Sequence, residues 1–181
     1  MDIPDLLDGR GGFRPLDGLR SELMSLMPFF QWCDASWLGA AVRSSTWAFA
    51  LIECFHLLGM VCLLGSLVAV DLRLLGLGMR RQPVALVASA LEPVTLTGLA
   101  TMVLSGVLLF SSEAIKCYQN SAFPWKMLFL LLGLITWFTI HRRVTRMDDE
   151  RIGPIRGKLL GGLSLILWFG VALAGRAIAF V

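Results

Sequence analysis

A chain of 181 residues that is 56% hydrophobic and only 16% charged, with a mean hydropathy of +0.73, has too little polar surface for a water-soluble domain, whose charged fraction is nearer ~25%. The net charge of +3 comes without a basic tract. That gives no footing for nucleic acid and makes the lipid bilayer the first partner to consider.

Residues 1–40 read as a flexible N-terminal segment. Its first 22 residues hold five acids and no apolar centre, which is not the pattern of a secretory signal. The stretch LMSLMPFFQW, residues 23–32, is apolar but too short to cross a bilayer. It is expected either as a helix lying in the interface or as an irregular loop.

Residues 41–181 read as an all-α domain, a four-transmembrane-helix bundle. The spans are expected at about 46–72, 93–112, 123–141 and 159–180, each near the ~20 residues a bilayer requires. Backbone groups in lipid must be satisfied within the segment, so the spans are helices. The turn after the first span carries Arg73, Arg80 and Arg81. The turn after the third carries Arg142, Arg143, Arg146, Arg151, Arg156 and Lys158. An excess of arginine and lysine marks the cytoplasmic side, which places both termini outside. Trp32, Trp37, Trp47 and Trp125 fall at the opposite boundary, where an aromatic belt belongs.

Helices in lipid associate by close packing, so small residues mark their contacts. These are Gly59, Gly65, Ser66 and Ala69 in the first span, and Gly98 and Gly106 beside Thr97, Thr101 and Ser105 in the second. The fourth has Gly157, Gly161, Gly162, Gly170 and Ala174. The four cysteines lack a CxxC spacing and hold no metal motif. Cys33 and Cys117, outside the spans, are the two that a disulfide would join.

Ionisable residues within a span are costly and point to function by default. Glu53 and His56 share one face of the first helix at i, i+3, with His56 about 15 Å from its outer end. Arg176 in the fourth span lies at a depth comparable to Glu53, and a Glu53–Arg176 ion pair is expected to lock the two helices. His141 ends the third span about 10 Å deeper than His56 and is expected near the headgroups. His56, His141 and Met102 are the candidate haem ligands, since histidines on neighbouring helices hold haem b in membranes. The depth offset argues against His56 and His141 sharing one iron. Met102 matches His56 in depth. No Walker loop, dinucleotide fingerprint, HExxH or GxSxG is present, so no catalytic residue is named and an enzyme is not the expectation.

The segments ECFHLLGMVCLLGSLVAVDLRLLG (Glu53–Gly76), SAFPWKMLFLLLGL (Ser121–Leu134) and LSLILWFGVALAGRAIAF (Leu163–Phe180) together resemble a family of small bacterial four-helix integral membrane proteins of unknown function. The resemblance spans about residues 40–181. It falls on His56, Asp71, Arg73, Lys126, His141, Gly175 and Arg176, and departs where Thr136 stands in place of an asparagine. It implies a multi-pass protein of the bacterial inner membrane and no particular activity. A looser similarity to copper-resistance D-type and cytochrome b561-like membrane proteins is one of architecture, which does not fix function.

Three roles fit these residues. The first is a structural or accessory membrane subunit, with a homo-oligomer or a membrane complex as partner. The second is a haem b-binding redox protein using His56. The third is a conduit for protons, a metal ion or a small solute, with Glu53 and His56 as relay along the Thr97–Thr101–Ser105 hydroxyls. The first is favoured because buried polar residues often act only as interhelical glue, worth ~0.6 kcal/mol per bond.

Overall fold

The computed structural model describes residues 26–79, 81–147 and 149–178, and its regular structure there is entirely helical. Two short helices come first, α1 at 26–34 and α2 at Trp37–Ser44. Four long elements follow: α3 (Thr46–Leu74), α4 (Val84–Ser112), α6 (Ala122–Thr136) and α9 (Pro154–Ala177). Between them lie α5 (Ala114–Gln119), a π turn at Trp137–His141, α7 (Arg142–Val144) and α8 (Asp149–Ile152). With α6 continued through the π turn and α7 to Val144, four helices are long and apolar enough to cross a membrane. This is a multi-pass membrane protein. The expected flexible residues 1–20 lie outside the described residues.

Local chemistry sets the boundaries. The hydroxyl of Ser36 accepts from the Gly39 N–H at the start of α2, and Ser45 accepts from Ala48 at the start of α3. Both are preferred N-caps. Gly153 turns the chain at φ 66°, and Pro154 then opens α9, where a missing N–H costs nothing. Pro93, expected to begin the second span, instead sits inside α4. A membrane helix tolerates the missing bond from the Pro93 nitrogen to the carbonyl one turn back; separately, Thr97 Oγ1 donates to the Pro93 carbonyl at 2.9 Å.

α3 packs on both α4 and α9, and α9 packs on α6. Glycines make these contacts backbone-close. A methyl group on Gly98 would lie 2.7 Å from the Leu63 nitrogen and 3.0 Å from the Gly59 carbonyl, and one on Gly161 would lie 2.9 Å from the Asp71 carbonyl. Gly65 and Gly162, also expected as packing positions, face open space. Two apolar clusters fill the bundle. One is Leu63, Leu67, Trp137, Trp168 and Val171. The other, toward the arginine-rich end, is Val70, Leu74, Val84, Val87, Ile152 and Leu160.

At the tryptophan-rich end α1 and α2 sit on the bundle. Phe30 meets Phe110, Tyr118 and Phe123 with ring centroids 5.2–6.3 Å apart. Arg43 donates to the Asp34 carboxylate at 3.1 Å, to the Asp34 carbonyl at 2.6 Å and to the Ser112 carbonyl at 2.8 Å. Trp32, Trp37, Trp47 and Trp125 are all well exposed. All four cysteines are free thiols, so Cys33 and Cys117 are not joined.

Candidate functional site

Polar side chains inside the bundle gather in two centres. The first is toward the tryptophan-rich end, where α3 presents His56 to α4. His56 Nδ1 lies 2.9 Å from Ser105 Oγ, the Met102 carbonyl is within hydrogen-bonding reach of the same ring, and the ring lies over Gly106, which has no side chain to displace it. Ser105 Oγ is 2.5 Å from the Thr101 carbonyl. Two oxygens so close need the hydroxyl proton between them. With that proton held by Thr101, Ser105 Oγ turns a lone pair to His56 Nδ1.

Lys126 approaches this centre from α6. Its side chain runs past Gly175, within 3.6–3.8 Å of where a Cβ would be, and its ammonium is in electrostatic reach of both His56 and Cys117. Cys117 lies on α5, outside the spans. Burial pushes its thiol above the ordinary range; the Lys126 ammonium opposes the rise and the Glu113 carboxylate adds to it. It is a poor nucleophile at neutral pH, since the thiolate is the reactive form.

Glu53 does not join this centre. It is exposed on α3, and among the described residues no ion pair links it to Arg176. The expected lock between the first and fourth helices is absent because α3 and α9 touch at their other ends, through Asp71 with Gly161 and Leu74 with Gly157. Toward the tryptophan-rich end α9 packs on α6 instead, through Gly170 against Phe129. Arg176 is exposed and makes contacts of its own.

The second centre was not anticipated. Asp71, near the arginine-rich end of α3, is 0% exposed, and His141, expected among headgroups, is 3% exposed. His141 Nε2 lies 2.8 Å from Asp71 Oδ1. Ser164 Oγ faces the same carboxyl from α9 but falls outside hydrogen-bond geometry. Asp71 Oδ2 and Ser164 Oγ are consequently both buried without a partner. The π turn brings His141 here. The Arg142 N–H reaches the Trp137 carbonyl, five residues back, which widens the helix by one residue. An α-helical period continued from the buried Gly133 and Trp137 would turn Ile140 and Val144 inward. The structure buries His141 and Thr145 instead and leaves Ile140 50% exposed. Such π turns are frequent at functional sites.

A cleft of about 50 Å³ reaches His141 from the arginine-rich end. Thr95, His141 and Thr145 are its buried floor, and Glu92, Arg142 and Arg146 its partly exposed mouth. Glu92 Oε1 pairs with Arg142, and Arg146 bridges both Glu92 oxygens at 2.9 and 3.1 Å. Arg142 also sits 5.8 Å over the Trp137 ring.

The candidate haem ligands are thus separated. Asp71 lies fifteen residues beyond His56 on α3, about 22 Å along the axis, and His141 is at Asp71. The offset between the histidines is about twice the expected 10 Å. His141 has given Nε2 to Asp71. Met102 packs against the Leu63–Trp168 cluster and approaches His56 through its backbone. The expected hydroxyl relay is also broken, because Thr97 is exposed and bonds its own helix, as does Thr101. The buried hydroxyl contact is Thr95 with Ser66, at 2.8 Å.

A family model matches residues 29–181, which includes both centres. The chain belongs to DUF6644, a family of unknown function. No curated protein and no solved structure matches it. Membership therefore supports a small membrane protein and carries no activity onto Asp71, His141 or His56.

Proposed function

We propose that this chain is an accessory subunit of a complex in the bacterial inner membrane, with both termini outside. The observation that carries the reading is Glu53. It sits about 10 Å from the start of α3, exposed beside Leu57, Leu58 and Val61, with no hydrogen bond or ion pair among the described residues. A carboxylate facing lipid inside a span is costly, by up to about 2.5–3.5 kcal/mol at a helix centre. Its side chain is too short to snorkel as lysine or arginine does. Membrane carboxylates usually face a partner, and here the partner is a transmembrane helix of another protein with a basic or donor side chain at that depth. A second copy fits less well, because a two-fold contact centred on Glu53 brings like charges together.

The test is native electrophoresis of gently solubilised membranes. The 19.9 kDa chain is expected to run in a larger complex, to be released by Glu53→Leu, and to be monomeric when purified alone. A purified dimer would assign the face to a second copy. A wild-type monomer in native membranes, or a complex indifferent to Glu53→Leu, would overturn the reading.

A second reading, haem b binding, is favoured by His56, whose contact with Ser105 is made through Nδ1 and does not involve Nε2. No second protein ligand stands opposite it within this chain, so the pair would have to be completed by the partner. A Soret band in the isolated complex, lost in His56→Ala, would support it; a haem-replete complex without that band would end it.

A further inference from the structure

We propose that Asp71, His141 and Ser164 form a proton-binding site that fills and empties through the cleft at the arginine-rich end. Its basis is a wholly buried carboxyl with one oxygen uncommitted. Asp71 Oδ2 and Ser164 Oγ are both buried without a hydrogen-bond partner, and a charge buried without full compensation is strongly disfavoured. A hydroxyl can donate to a carboxylate as it stands, so what a proton relieves here is the charge. Asp71 carboxylate and neutral imidazole together carry one negative charge with little to stabilise it. Adding H⁺ gives a neutral pair, either carboxylic acid beside imidazole or carboxylate beside imidazolium. The only bond made is O–H or N–H. In the first form the acid proton lies between Asp71 Oδ2 and Ser164 Oγ; in the second Ser164 donates to Oδ2 and His141 to Oδ1.

A metal cation suits the site less well. Hard cations take about six or more oxygen ligands, and the uncommitted oxygens here are two. No cluster of three or more histidine, cysteine or acidic side chains occurs among the described residues.

The proton has a route. A water needs ~10–15 Å³ of free volume and two or more polar partners. The cleft has about 50 Å³, with His141, Thr145 and Thr95 on its floor. The charged groups that face the pair are few. From α4 comes Glu92, and from the end of the third span come Arg142 and Arg146, all held together at the mouth. Arg73, on α3 itself, is turned away to the Gln82 carbonyl at 2.6 Å. Arg156 and Lys158 of α9 are exposed, leaving Ser164 as that helix's contribution. The Glu92–Arg142–Arg146 cluster acts as a polar lip past which water reaches His141. This site works whether or not α3 meets a partner helix.

The experiment is infrared difference spectroscopy of the full chain in lipid nanodiscs across a pH titration, with sodium and without. The expected result is a carboxyl signal that titrates without sodium, disappears in Asp71→Asn and shifts in frequency in Ser164→Ala. Ser89→Trp, which adds bulk at the cleft wall, is expected to slow deuterium exchange of that signal at least tenfold. The chain has only two histidines, so nitrogen NMR of the unaltered protein reads His141 without touching the pair, should Asp71→Asn fail to fold. The His141 ring is expected to change protonation or hydrogen bonding in step with the carboxyl. A carboxyl and a His141 signal that are both constant with pH would overturn the proposal. So would a signal that changes only with sodium, or exchange indifferent to Ser89→Trp.

Discussion

Asp71→Leu alone is expected to destabilise the bundle by about 3–5 kcal/mol, and the pair Asp71→Leu with His141→Leu to recover most of that loss. The magnitude is that for breaking a buried ionic pair from one side, which strands the other member, whereas replacing both with apolar groups of similar volume is often neutral or stabilising. The setting makes the contrast sharp. Asp71 and His141 are 0% and 3% exposed, and the close approach of Gly161 to the Asp71 carbonyl leaves little room for relaxation on that side. Reversible unfolding in mixed micelles measures all three variants. If the double variant is as unstable as the sum of the singles, the two residues are not energetically coupled and the pair is an accident of packing. If it is stable but has lost its titrating infrared signal, the pair is there for protons and not for strength.

Gly98→Leu is expected to have a comparably large effect, a loss of more than about 3 kcal/mol or failure to form the bundle, with Gly98→Ala costing about 1–3 kcal/mol. A single added carbon would stand 2.7 Å from the Leu63 nitrogen, and that neighbour is backbone, which cannot swing aside as a side chain can. The α3–α4 crossing would have to open along its length, drawing His56 away from Ser105. Gly65→Ala and Gly162→Ala are the controls. Nothing lies within 4 Å of either new methyl group, and alanine is the better helix former by up to about 1 kcal/mol. Both controls should unfold no more easily than the parent in the same micelles. Equal damage at all three glycines would mean that helix–helix contact is not what Gly98 provides.

The four helices were legible because lipid imposes a crude rule, long runs without charge. Contact glycines were partly legible, since Gly59, Gly98, Gly161 and Gly170 are small where smallness is needed. The internal hydroxyls were not. Thr97, Thr101 and Ser105 form a row of strict four-residue spacing, which drifts around a helix of 3.6 residues per turn. The face of α4 turned inward runs instead through Thr95, Gly98 and Ser105. Pro93 misled because proline usually signals a helix start, and a membrane helix tolerates it inside. The larger failure was His141. Its neighbours Arg142 and Arg143 suggest a headgroup residue, and only the five-residue turn closed by Arg142 on Trp137 rotates it into the interior. Nothing in WFTIH announces that turn. Asp71 was missed with it, because an acid at the end of a span is ordinarily a boundary, and its partner had been placed elsewhere.

Arg43 and Ser112 are 69 residues apart in the chain, and this bears on how the protein is assembled. The guanidinium that clamps α2 onto the bundle cannot find its carbonyl until α4 has been synthesised. At about 5–20 residues per second, α1 and α2 wait roughly 3–14 seconds after Arg43 is made. During that interval the aromatic face of Phe30 has neither Phe110 nor Phe123 to rest on. The newborn N-terminal helices therefore need a temporary host, and the bilayer surface or an insertion factor is the apolar surface at hand.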